Sequence, residues 1–168
     1  MFEKMDDPLN TKYTLLERVK LQTEIIIPIL EALREELGEK RANEIVYSAL
    51  REWWRQSYRK IGAQSSDRGK AKWENISKEL DELIGDDVEV ENLEEDPDSL
   101  EFDVTGCRYA QFFLELGEPE LGAIMTCEID DHVAALGYPE VTLSRPQTIM
   151  GGAKKCHFRY RFKKIKDG

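Results

Sequence analysis

Thirteen of the twenty-five residues from Glu79 to Asp103 are acidic and none is Lys or Arg, whereas Lys154 to Lys166 holds seven basic residues and no acidic one. Segregated charge of this kind implies a pair of complementary elements. Both segments also alternate. Val88 and Val90 alternate with Glu89 and Glu91, and Leu100, Phe102 and Val104 with Glu101 and Asp103. In GGAKKCHFRYRF (151–162), Cys156, Phe158, Tyr160 and Phe162 fall on one side and His157, Arg159 and Arg161 on the other. Period-two alternation marks half-buried strands, so the acidic pair reads as two strands joined by the turn-prone EEDPDS. Opposite charges on the polar faces favour the basic strand beside that hairpin. The competing reading is a solvated face of mixed charge, since an exposed pair contributes only about 0–1 kcal/mol.

Ahead of the strands the period is helical. Residues 11–37 place Leu15, Val19, Ile26, Ile29, Leu30, Leu33 and Leu37 on a stripe that ends at Gly38, with a kink expected before Pro28. A second helix, 39–61, groups Ile45, Val46, Ala49, Leu50 and Trp53 and stops at Gly62; a third, 67–84, groups Trp73, Ile76, Leu80, Leu83 and Ile84 before Gly85. After the hairpin come a helix over 107–116, a second from Pro119 to the Gly137 and Pro139 stops, and strands near 140–149 and 154–164. The order ααα-ββ-αα-ββ predicts an α+β fold, an antiparallel sheet with helices packed mainly on one face. One domain is expected over 1–168, with 1–10 flexible, 11–84 helical and 86–165 mixed.

A chain of 168 residues, 40% hydrophobic, buries roughly 70% of its unfolded surface and needs no staple to fold. Its longest apolar run, IIIPIL at 25–30, is far short of a membrane span, and the N-terminus lacks the features of a secretory leader, so a cytoplasmic protein without membrane contact is expected. The net charge of −10 argues against nucleic acid. Cys107, Cys127 and Cys156 are odd in number and form no CxxC, which reads as three reduced thiols with neither a disulfide framework nor a closed zinc site. No HExxH, P-loop, GxGxxG or GxSxG occurs, and no cofactor or metal is expected.

The residue types that carry chemistry concentrate in PELGAIMTCEIDDHVAALG (119–137). At 100° per residue, Leu121, Met125, Ile129 and Leu136 form an apolar stripe with His132 at its centre and Glu128 one turn earlier, the spacing of a carboxylate that orients an imidazole base. Cys127 and Asp130 share another face, with Asp131 at its edge. Cys107, in TGCRYAQFF, opens a helix, where the dipole favours thiolate. Each has a plain structural reading beside the chemical one: His132 as a hydrogen-bonded core histidine, and each cysteine, Cys156 above all, as a small buried hydrophobe.

Residues 106–162 resemble the L-2-amino-thiazoline-4-carboxylic acid hydrolase family. Four linked pieces carry the likeness: Cys107 with Tyr109 at a helix start, Cys127 and Asp130 as Cys-x-x-Asp, the extended Thr148 to Gly152, and a final Cys-x-Phe-Arg-aromatic strand (Cys156, Phe158, Arg159, Tyr160). The family's final motif has Asp after the Cys; His157 stands there here. The resemblance implies hydrolytic opening of a small, carboxylated, cyclic amidine-like ring on a route that yields cysteine. It implies Cys127 as nucleophile or against the reacting carbon, Asp130 managing the proton, and Cys107, Cys156 and Tyr109 lining the pocket. Glu128 with His132 is the second acid-base candidate, and Arg108 and Arg145 are available for the substrate carboxylate. The alternatives are a non-catalytic module that binds a small ligand on the same fold, and an interaction protein that forms a homodimer through its N-terminal helices.

Overall fold

A computed structural model describes residues 13–163; the segment 1–10, expected to be flexible, lies outside the described residues. Helix α1 (Leu15–Leu37) begins where Thr14 and Glu17 form a capping box, the Thr14 hydroxyl accepting from Glu17 N and the Glu17 carboxylate from Thr14 N. Such a cap contributes about 1 kcal/mol. The helix continues through Pro28. Its buried face is Leu16, Val19, Thr23 and Leu30, and Thr23 is tolerated there because its hydroxyl donates to Val19 O at 2.8 Å. Ile29 and Leu37, expected inside, are exposed. With Leu21 and Ile25, Ile29 makes a second apolar stripe at i, i+4, i+8 that faces outward.

Gly38, at φ 80°, lets the chain turn into α2 (Glu39–Ala63). The buried face of α2 also differs from the expected one. Ala42, Tyr47 and Tyr58 are buried and Ile45 and Trp53 are exposed, because the core stripe runs through Ala42, Val46, Leu50, Trp54 and Tyr58. Gly62 lies within the last turn, not beyond it; a Cβ there would come within 2.7 Å of the Leu136 side chain. Helix α3 (Gly69–Ile84) places Trp73 inside and leaves Leu83 exposed, and a 3₁₀ turn (Gly85–Asp87) leads to the sheet.

Strands β1 (Val88–Asp96) and β2 (Ser99–Cys107), helices α4 (Arg108–Leu116) and α5 (Pro119–Gly122), a π-helical turn (Ala123–Cys127), helix α6 (Glu128–Leu136) and strands β3 (Val141–Ser144) and β4 (Cys156–Phe162) follow. The sheet is antiparallel in the order β1-β2-β4-β3. The basic strand β4 therefore lies beside the acidic hairpin, with Glu101 opposite Arg159 and Asp103 opposite His157. Val90 is exposed because β1 is an edge strand with register shifts between Glu89/Val90 and Asn92/Glu94, irregularities that break the inward alternation. The third strand is shorter than the expected 140–149: it ends at Ser144, ahead of Arg145 and Pro146, the second of which has no N–H to give to a ladder.

The core has two clusters. One joins α1, α2, α4 and the π turn around Leu30, Phe113, Leu121 and Ile124; the other packs α3 and α6 on the inner sheet face, where Trp73 meets Tyr160 and Phe162 with ring centroids 4.7 and 4.9 Å apart. Val88, Cys107 and Ile149 touch both clusters, and Cys127 borders the first and Cys156 belongs to the second. The three thiols thus gather at the seam.

Candidate functional site

The helix that carries Cys127 is not a regular α-helix. Thr126 donates its hydroxyl to Gly122 O at 2.7 Å, the kind of back-bond that perturbs a helix, and Glu128 N bonds to Ala123 O five residues earlier. The extra residue of the π turn rotates everything beyond it. Val133 and Ala134 are buried in α6 as a result, while His132, expected at the centre of the apolar stripe, sits at its margin, stacked on Tyr58 with ring centroids 5.7 Å apart.

Cys127 closes the π turn and Asp130 lies one turn on, on the same side. Both are held by Arg145, from the loop after β3. Its Nη1 donates to Cys127 O at 2.9 Å and to Asp130 Oδ2 at 2.8 Å, its Nη2 donates to Asp131 Oδ2 at 2.7 Å, and the guanidinium lies over Phe158, 5.1 Å from the ring centroid. The Arg145 side chain is only 10% exposed, and Asp130 retains 29%. Arg145, expected to be available for a substrate carboxylate, is thus engaged by two carboxylates and a carbonyl. Arg108, the other expected receptor, pairs with Asp87 at 2.7 Å.

The electrostatics follow from burial. The Asp130 carboxyl is pushed up to about 6, mainly by desolvation and further by Asp131, with Arg145 opposing. Burial pushes the Cys127 thiol up to about 12 against the pull of Arg145, and it raises Cys107 and Cys156 as well. Cys107 is the N-cap of α4, its sulfur 3.4 Å from Ala110 N, yet desolvation outweighs that bond and the thiolate expected at the helix start is disfavoured. The Cys156 sulfur accepts from Ile149 N at 3.2 Å. The charged forms of Cys107, Cys127 and Cys156 each sense Asp130, so thiols and carboxyl make one electrostatic neighbourhood.

The second acid-base candidate is not assembled. Glu128 pairs with Arg51 Nε at 2.9 and 3.1 Å, and His132 Nε2 is buried without a hydrogen-bond partner among the described residues, its imidazolium disfavoured by desolvation. Tyr109 is buried, and its hydroxyl likewise has no hydrogen-bond partner among the described residues. His157 points away from Cys156, as alternation requires, with Nδ1 2.6 Å from Asp103 Oδ1 and Nε2 accepting from Arg159 Nε at 2.6 Å. A cleft of about 420 Å³ between the start of α1 and the end of α3 is lined by Thr14, Arg18, Ile84 and Asp87 among others, and by none of the three thiols. Among the described residues no group of three His, Cys, Asp or Glu side chains converges to hold a metal ion, and no helix is long and apolar enough to cross a membrane.

The organising role of Arg145 escapes the sequence, since it lies 14 and 15 residues from the two carboxylates it binds; the Asp130-Asp131 doublet was the available hint.

The fold and site define an α+β protein whose three thiols and a half-buried carboxyl lie at the seam between a helical layer and a sheet. The sequence matches the family described as L-2-amino-thiazoline-4-carboxylic acid hydrolase over residues 18–160, and the chain belongs to that family. The match takes in α2 and α3 and nearly all of α1, well beyond the 106–162 segment in which the motifs are read. No curated protein matches the chain.

Proposed function

We propose that the protein is a hydrolase that opens a small carboxylated ring of the 2-amino-thiazoline type, with Asp130 as the general base. The observation that carries this reading is a carboxyl poised at about 6, one turn from Cys127, in a chain of this family. A base whose pKa lies near the working pH is the efficient one, whereas a thiol pushed to about 12 supplies almost no thiolate. Asp130 carboxylate takes a proton from water as the oxygen adds to the ring carbon between sulfur and nitrogen, the C=N π pair passing to the ring nitrogen, which takes up the proton of the new hydroxyl as the carbonyl forms. The protonated Asp130 then returns that proton to the departing sulfur as the C–S bond breaks, leaving a free thiol and a carbamoyl group. Cys127, Cys107 and Cys156 line the reacting space as neutral thiols.

Turnover of 2-amino-thiazoline-4-carboxylate by single variants tests the assignment. Asp130→Asn is expected to lose about 10²- to 10⁴-fold in kcat, and Cys127→Ala to stay within an order of magnitude of the parent. An inactive Cys127→Ala beside an active Asp130→Asn would transfer the chemistry to the thiol. The 420 Å³ cleft, whose lining includes none of the three thiols, favours a second reading, a non-catalytic module that binds a small ligand there. Binding of small carboxylated heterocycles with no turnover, weakened by changes at Arg18 and unaffected by changes at Cys127, would select it.

A further inference from the structure

Four separate parts of the fold end on one guanidinium. Arg145 comes from the loop after β3, Cys127 O from the last residue of the π turn, Asp130 and Asp131 from the first turn of α6, and the Phe158 ring from β4. An arginine recruited only to pair with a surface carboxylate would not need a backbone carbonyl, an aromatic floor and 90% burial of its side chain. The carbonyl it binds belongs to the residue that carries the thiol, at the point where the helix is irregular and its backbone bonding is shifted by one residue. One rigid planar fork therefore fixes both ends of the Cys127–Asp130 turn relative to the strap that covers Cys156 through Ile149.

We infer that Arg145 is the positioning residue of this site: it sets where the Asp130 carboxylate stands relative to Cys127, and it does not receive the substrate's carboxylate. The kinetic part of this inference rests on the hydrolase reading; the structural part does not. The groups that act on Asp130 come from every neighbouring element: Asp131 on its own helix, Asp81 on α3, Tyr58 on α2, Tyr160 on β4, and Cys107, Cys127 and Cys156. All of these are acidic or neutral, and Arg145 is the cation that offsets them. Loss of its charge must move Asp130 further from the ionised form, and loss of its shape alone must not.

The test compares Arg145→Gln and Arg145→Lys in the full chain by two readouts: the carboxyl ¹³C titration of Asp130, and kcat and KM with 2-amino-thiazoline-4-carboxylate. Arg145→Gln is expected to raise the Asp130 midpoint by about one unit or more and to lower kcat with KM little changed. Arg145→Lys is expected to hold the midpoint near its parent value yet to leave kcat depressed, because an ammonium cannot span two carboxylates and a carbonyl as a fork does. An unmoved midpoint in Arg145→Gln, or a raised KM with kcat intact, overturns the inference, the second result making Arg145 a substrate receptor. Should Arg145→Gln not fold, by near-ultraviolet circular dichroism, the lysine variant decides: parent kcat overturns the inference and depressed kcat supports it. A parent protein that does not turn over the thiazoline, with the Arg145→Gln midpoint displaced, removes the hydrolase reading and leaves the positioning role standing.

Discussion

Asp103 and His157 stand opposite each other in the β2–β4 register, on the sheet face turned away from Cys156, and His157 Nδ1 lies 2.6 Å from Asp103 Oδ1. Lys155 also donates to Asp103, whose side chain is only 1% exposed. The Lys155 ammonium first, and His157 second, hold the Asp103 carboxyl below its ordinary value. A carboxyl depressed in the folded state contributes stability that is present above the ordinary Asp range, about 3.9, and lost as pH falls through the folded value. Denaturant midpoints taken from pH 7 down to pH 2 are therefore expected to fall in the acid limb for the parent and to fall less for Asp103→Asn. Identical acid limbs would mean that this pair does not tie β4 to the hairpin.

The thiols make a second, opposite statement about reactivity. Burial raises all three, Cys127 to about 12, so iodoacetamide is expected to label each slowly at pH 7 and faster as pH passes 9, with Cys127 the slowest. Mass spectrometry of a labelling time course checks this residue by residue. One thiol labelled rapidly at pH 7 would return the nucleophile to that cysteine.

How far the sequence carried can be judged on particular residues. The pairing of β2 with β4 was legible because charge and alternation are both local patterns that a sheet must satisfy at once, and the opposite orientations of Cys156 and His157 followed from the same alternation. The buried faces of α1 and α2 were less legible: Ile29, Ile45 and Trp53 look like core by composition, and only the packing of a second helix decides which of two apolar stripes is covered. In the site, Cys127 and Asp130 were legible as neighbours at i, i+3. The displacement of His132 was not, because a single inserted residue in the π turn changes the phase without leaving a mark on the periodicity. Nor was the direction of the Cys107 shift, since a helix start and a buried seam act oppositely on a thiol and burial is a property of the fold.

Gly122 is the close contact on which the π turn rests. A Cβ there would lie 2.5 and 2.6 Å from Phe113 Cγ and Cβ and 2.7 Å from Met150 Cε. Met150 ends in a flexible methyl group, but Phe113 is fully buried and cannot withdraw. Gly122→Ala is expected to cost about 1–3 kcal/mol, the range for overpacking a close-fitted core, read as a lower urea midpoint. Because Thr126 bonds to Gly122 O, the displacement should also reach the Cys127 turn and lower turnover more than the stability change alone explains. An alanine variant with parent stability would show that α5 does not pack flush on α4.

Asp130 carries the linkage sign opposite to that of Asp103. Its carboxyl is raised in the folded state to about 6, above the roughly 3.9 of an unfolded chain, so between these values the native protein binds the extra proton and stability falls as pH rises. Above about pH 6 the folded chain bears an ionised carboxylate held partly out of water beside Asp131, and Arg145 offsets only part of that cost. Asp130→Asn keeps an oxygen that accepts from Arg145 Nη1 and removes the charge. The variant is therefore expected to be more stable than the parent at pH 8, with the difference shrinking toward zero near pH 4, while its turnover falls. Paired thermal melts of parent and variant across pH 4–8 measure this directly. A variant less stable than the parent at every pH would mean that the ion pair with Arg145 outweighs the desolvation of Asp130, and that the carboxyl titrates well below 6.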